Sequence, residues 1–355
     1  MHIVKACGWL AFVALFAISC GGESKGGASQ SGGAKQEIAL FPFAEGEKAG
    51  YIDQTGRVAI PAKFDAALEF SDGLAAVLVG EDYGYIDHSG EIVVKPAYVM
   101  VGPFSEGMAC VMIGEKWGFI DTAGRLVIPP KYDMPIGDGV YPSSFSDGLA
   151  AAPVGEKWGF IDKTGKMVIP LQFEWAYDFS EGLASVTKDG LTGYIDKSGK
   201  FVIEPRFQGG ASFHEGLASV VIDAKVGFID KAGKVVIEPK FDWAGDFSEG
   251  LAMASVGEKI GFIDVNGGFA IAPKFDVPPF EVLDFMKFSE GLAAVYVAGK
   301  ELHEGRVGFI DKNGKWAIEP KFEFALPFKR GLARGSENGK LVYVDKSGKY
   351  VFREK

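Results

Sequence analysis

The motif Gly-aromatic-Ile-Asp begins at Gly50, Gly84, Gly118, Gly159, Gly193, Gly227, Gly261 and Gly308, and an altered ninth copy reads Val342-Tyr343-Val344-Asp345. Successive copies stand 34, 34, 41, 34, 34, 34, 47 and 34 residues apart. That period confines the chain to repeat architectures, because a unit this short cannot bury its apolar face alone and must stack on its neighbours. One unit reads Gly182-Leu-Ala-Ser-Val186, Gly193-Tyr-Ile-Asp196, Phe201-Val-Ile203 and Pro205-Arg-Phe207. Its apolar runs are short, rich in Val, Ile and aromatics, and broken at glycine turns, and no helical period lasts two turns. The spacing predicts an all-β chain of tandem 34-residue units, each a three-stranded β-meander followed by a connection of about twelve residues.

Each recurring residue has a structural role and a chemical alternative. Asp follows Ile or Val in all nine copies, from Asp53 to Asp345, and Gly follows three residues later, from Gly56 to Gly348. Asp opening a turn accepts hydrogen bonds from the backbone two residues on, and Gly takes the left-handed position of a bulged hairpin. The alternative, calcium, needs several oxygens per loop, and each loop offers one carboxylate. A second column, Phe-Ser-acid-Gly, places Phe at positions 70, 104, 145, 179, 213, 247, 288 and 328. A third places an aromatic after the Pro, as at Phe64, Phe173 and Phe241. Two large rings in every unit read as core, with carbohydrate stacking as the alternative.

The pattern resembles the WG-repeat (KWG) family of bacterial repeats, most closely at Lys116-Trp117-Gly118-Phe119-Ile120-Asp121 and Lys157-Trp158-Gly159-Phe160-Ile161-Asp162. The Trp slot otherwise holds Ala49, Tyr83, Thr192, Val226, Ile260, Val307 and Leu341. The resemblance covers the chain from residue 38 onward and implies repeat architecture; it implies no particular activity. Two closures are compatible with the units, an open twisted β-repeat array and a closed β-propeller-like ring. Nine three-stranded units exceed the usual 4–8 four-stranded blades, and no terminal strand is visibly borrowed to close a ring. The expectation is the open array.

The amino terminus lies outside the repeats. Residues 1–19 have the charged start, short apolar middle and small-residue end of a secretory signal. Ala17-Ile18-Ser19-Cys20 resembles the lipobox of bacterial lipoproteins, which implies acylation at Cys20, with a plain secreted protein as the alternative. Residues 20–37 form a Gly/Ser-rich linker with a reach of about 23 Å. The absence of Asp directly after Cys20 makes the resemblance point to the outer membrane.

With 47 acidic against 37 basic residues the formal charge is −10, and no basic surplus exists to displace the counterions of a nucleic acid. The four His, at 2, 88, 214 and 303, and the sole post-linker thiol, Cys110, offer no zinc spacing. A glycosidase needs one carboxylate pair unlike the rest, whereas these carboxylates recur identically. No enzyme activity, metal or cofactor is expected. Function is sought where the repeat is broken. Seven-residue insertions enter the third and seventh units at 134–144 and 277–286, and six more residues enter around 299–305. Tyr141, Phe280, Leu283 and Phe285 are the candidate partner-binding residues, with gap-filling as the alternative. The expected function is a membrane-tethered envelope lipoprotein serving as a binding or scaffolding module for a protein or glycan; a passive envelope spacer is the alternative, and a glycan-processing enzyme the remoter one.

Overall fold

The computed structural model describes residues 38–133, 144–278, 285–299 and 304–355. The described residues form nine small antiparallel sheets in chain order, three of three strands and six of four. The first sheet contains β1 (Leu40–Glu45), β2 (Lys48–Asp53) and β3 (Val58–Phe64); the second contains β4 (Ala66–Ser71), β5 (Leu74–Val79), β6 (Asp82–Ile86) and β7 (Ile92–Tyr98). The predicted meander is present in every unit. The connection adds something the sequence reading lacked, a short strand beside the first long strand of the next sheet, as β4 lies beside β5.

Burial follows from position in the sheet. β5 buries Leu74 through Val77, whereas β7 alternates, with Val94 buried between exposed Val93 and Lys95. The β7-type strand is thus a half-solvated edge, and it carries Pro in eight of the nine sheets (Pro61 and Pro96 in the first two), which withholds a donor from any added strand. This Pro segment bulges toward the central strand. At Gly118 a Cβ would stand 2.5 Å from the Ile128 carbonyl oxygen, so the motif's glycine is set by close backbone approach.

Sheets are joined by aromatic pairs across their faces. The central-strand ring of one sheet meets the corner Phe that leads into the next: Tyr85 with Phe104 at 4.7 Å, Phe160 with Phe179 at 4.9 Å, Phe309 with Phe328 at 4.8 Å. All eight corner phenylalanines are at most 6% exposed. The third aromatic column is core as well, except that Tyr98 is only half-buried.

The last sheet then packs on the first. Tyr343 donates its hydroxyl to the Pro42 carbonyl at 2.7 Å and its ring lies 5.6 Å from Phe41. Phe43 meets Phe352 at 5.2 Å, and Gln54 donates to the Arg330 carbonyl at 3.0 Å. Ala39, Phe41, Phe43, Ile52, Leu332 and Tyr343 form one buried cluster across the two ends of the chain. The expected open array is therefore incorrect: the chain closes into a nine-bladed β-propeller. The short strands bring six blades to the usual four strands, and among the described residues closure uses side-chain packing in place of a swapped strand.

Ring closure predicts the effect of Tyr343→Phe. The lost hydroxyl bond should cost about 1 kcal/mol, read as a fall of a few degrees in Tm and equal to that of Tyr85→Phe, whose hydroxyl bonds the Gly102 carbonyl at 2.7 Å. An open array would leave the Tyr343 hydroxyl in water and make the substitution silent.

Candidate functional site

Two faces of the ring are built from turns, and each commits its carboxylates to its own backbone. On the first face Asp53 Oδ1 accepts the Thr55 amide at 2.8 Å, the Thr55 hydroxyl at 2.7 Å and the Arg57 amide at 3.1 Å. Gly56 follows at φ +82°, and the other eight turn glycines also have positive φ. The Asp column thus acts as the turn residue the sequence suggested.

The same face carries the corners. Asp72 and Gly73 take φ of 48° and 81°, the paired left-handed conformation of a type I′ hairpin turn, and six further acid-Gly pairs repeat it. Each corner is bonded to the next. Ser71 donates to the Phe104 carbonyl at 2.6 Å, and Gly107 donates its amide to Asp72 at 2.8 Å. The pattern continues through Ser289, which donates to Phe328 at 2.6 Å, and Glu290, which accepts from Gly331 at 3.0 Å. Five corner acids also meet a lysine of the following blade's turn, as Glu106 meets Lys163 at 3.1 Å and Glu290 meets Lys346 at 3.1 Å. Such half-exposed pairs each contribute about 0–1 kcal/mol.

On the opposite face an acid at the end of a blade bonds the first turn of the same blade and of the next. Lys48 meets Asp65 at 2.6 Å, and Asp65 accepts the Gly80 amide at 2.8 Å. Lys116 meets Asp133, and Lys259 meets Asp276 at 2.5 Å. The lysine hydrogen bond, ahead of the backbone amide, holds each of these aspartates below its ordinary value.

The repeat breaks at three places. At the ring's seam, Lys329 and Arg330 occupy the Ser and acid slots of the eighth and last corner, and Arg334 stands where other blades place Ala76, Cys110 or Ala151. Lys329 reaches Glu69 at 2.5 Å, two blades away around the ring. At the eighth blade, the roots of the 277–286 and 299–305 insertions lie side by side. Asp276 at the root of one accepts the amide of Ala298 at the root of the other, at 2.9 Å. Exposed Val277 lies beside this junction. The 134–144 insertion enters the equivalent slot of the fourth blade, between Asp133 and Phe145. Cys20, Tyr141, Phe280 and Leu283 lie outside the described residues. Phe285 is half-buried and its carbonyl accepts the Lys287 amide, while its neighbour Met286 is 2% exposed and belongs to the core. That part of the insertion therefore packs inward.

The corner Ser and acid were missed as bonding residues, although their recurrence beside Phe was a visible signal. The closeness of the roots of two insertions had no signal in sequence, because it depends on one blade's end lying against the next blade's turn.

A family model described as a WG containing repeat matches at residues 50–81, 83–117, 117–158, 158–191, 193–225, 227–259, 260–300 and 308–340. Each match runs from a central strand into the next blade's first strand. Eight matches therefore accompany nine blades, the remaining unit being split between the two ends of the chain and reunited at the seam. No curated protein matches the chain. Among solved structures, a crystal structure of a eukaryotic initiation factor is 14% identical, covers 90% of this chain and 96% of its own, and has a TM-score of 0.66. Hsv2 of Kluyveromyces marxianus is 12% identical over 67% of this chain and 88% of its own, with a TM-score of 0.44. The dihydro-heme d1 dehydrogenase NirN is 12% identical over 92% and 75%, with a TM-score of 0.45. The first likeness concerns the fold alone, and the other two add nothing to it.

The turn aspartates set a pH dependence. Asp53, Asp87, Asp162, Asp196 and Asp345 are held below the ordinary 3.8 first by the hydroxyl two residues on, and Asp121 and Asp311 first by the amide four residues on. A carboxyl with a depressed folded pKa contributes stability that is complete above its unfolded value and lost as pH falls through the folded one. Urea midpoints should therefore be level from about pH 7 to 5 and fall steeply below about pH 4, and Asp162→Asn should reduce that fall.

Proposed function

This chain belongs to the WG-repeat family, and from that premise and its closed ring we propose a non-enzymatic binding or scaffolding propeller that recognises a protein partner. An acyl group on Cys20 holds it at a bacterial cell envelope, at the outer membrane, and residues 20–37 form the tether. The observation that carries the reading is the junction of insertions at the eighth blade, where Asp276 and Ala298 hold two departures from the repeat side by side. The repeat's other polar groups support it too, because turn aspartates, corner acids and corner serines are spent on the ring's own backbone. A rigid ring presenting non-repeating loops suits recognition, since a loop held on a rigid scaffold loses little freedom on binding. An acidic domain gains nothing from anionic lipid heads, so attachment falls to the acyl chains.

Two measurements test the two halves of this reading. Replacing residues 279–284 and 300–303 by short Gly-Ser links should abolish crosslinking to a specific envelope protein in the native cell while leaving Tm unchanged; retained crosslinking would locate the partner elsewhere. Cys20→Ser should eliminate labelling by a fatty-acid probe and release the protein into the soluble fraction, and continued membrane retention would exclude the acyl anchor.

A further inference from the structure

Two columns of the repeat change to cations in the ninth blade and in no other. The corner column pairs Ser or His with an acid from Ser71-Asp72 to Ser289-Glu290, and ends in Lys329-Arg330. The strand column opposite the central aromatic holds uncharged residues in eight blades, such as Pro42 opposite Tyr51, Ala76 opposite Tyr85 and Ala294 opposite Phe309. In the ninth it holds Arg334, opposite Tyr343.

The ring's own bonding accounts for one of these three cations. Lys329 meets Glu69 at 2.5 Å. Arg330 keeps the corner's left-handed backbone, at φ +52°, but a guanidinium has no acceptor and cannot take an amide as Asp72 and Glu290 do. Arg334 is half-buried, and its Nε is enclosed without a hydrogen-bond partner among the described residues. Such a donor is costly to leave unmet, and the alanine of other blades would avoid the cost.

The cations converge on the seam. Glu69, Lys329, Arg334 and Tyr343 line a notch beside Phe41 and Leu326. Arg330, Leu40 and Phe70 line an adjoining notch, which shares Phe41, Glu69 and Lys329 with the first. Glu69 answers one cation, so two positive charges stay in excess here, in a chain of net charge −10. Asp72, the next acid round this face, is held on the Gly107 amide.

We propose that the seam binds an acidic peptide segment of a partner protein, with Arg330 and Arg334 receiving its carboxylates. Arginine's planar fork takes a carboxylate through two parallel bonds. The apolar walls receive the aliphatic stem of a Glu and its apolar neighbours, a contact that an inorganic anion cannot make. Acids elsewhere on the ring are screened beyond about 8 Å at physiological salt. The site lies on the corner face, whereas the insertion roots at Asp276 and Ala298 lie on the opposite one, so it is a second surface independent of the eighth blade.

The test is the fluorescence anisotropy of a rhodamine-labelled peptide carrying two glutamates between apolar residues, titrated with the purified full chain beside a twin peptide carrying glutamines. The glutamate peptide should bind about tenfold tighter, the scale of one charge-assisted bond. Arg334→Ala and Arg330→Glu each restore the repeat's own residue type, and each should weaken binding about threefold or more with Tm unchanged. Glu69→Gln removes the internal competitor and should tighten it. Equal affinity for the two peptides, or unchanged binding in both arginine variants, would overturn the proposal. Displacement by an equal concentration of inorganic phosphate would overturn it as well, by showing a small-anion site. The chain with Gly-Ser links in its eighth blade should bind the peptide as the parent does; loss of binding there would move the site to the insertions and overturn this one.

Discussion

The contact on which the ring depends is the edge-to-face pair between a central-strand aromatic and the corner Phe of the following blade. It recurs from Tyr51 with Phe70 at 5.0 Å to Phe309 with Phe328 at 4.8 Å. Such a pair is worth about 0.5–1.5 kcal/mol beyond the apolar area it buries. Its geometry depends on the glycine beside the central aromatic. With no side chain there, the Pro segment of the third strand bulges against the central strand, as Ile128 does over Gly118. The corner must also present its Phe at a fixed angle, which the left-handed acid-Gly pair ensures. At the seam no corner Phe is available, and Phe41 takes its place against Tyr343 at 5.6 Å.

Charge in this protein is arranged for geometry more than for energy. Corner acids and the lysines that meet them are partly exposed, so each pair contributes little to stability. What they provide is a defined turn and a bond from each corner to the next, repeated until Lys329 and Arg330 change the sign. An excess of ten negative charges thus coexists with a basic seam. That seam is the one place where the ring's two ends must recognise each other without the repeat's own grammar.

Much of the local structure was legible. Asp and Gly at fixed spacing specify the hairpin turn because only those residue types combine a side-chain acceptor with left-handed backbone, and both appear where expected. Recurring Phe implied core, and Phe104, Phe145 and Phe213 are fully buried. The short strand was not legible, because two residues such as Trp175–Ala176 carry no period and gain strand geometry only from the neighbour they pair with. Of the candidate site, the insertions were legible as broken spacing. The inward packing around Phe285 and the bond between Asp276 and Ala298 were not, since both depend on contacts outside the segments themselves.

Sequence by itself determined the unit: its length, its strands, its turns, its aromatic core and the family to which the chain belongs. These follow from local chemistry repeated at one spacing. Tertiary structure decided the closure. Whether nine units form an array or a ring depends on the small angle between neighbours, which accumulates across every aromatic pair and corner bond and is written in no single residue. Only when the last blade reached the first did Tyr343 find Pro42, and only then did a repeat split between the two ends of the chain come together across two neighbouring blades.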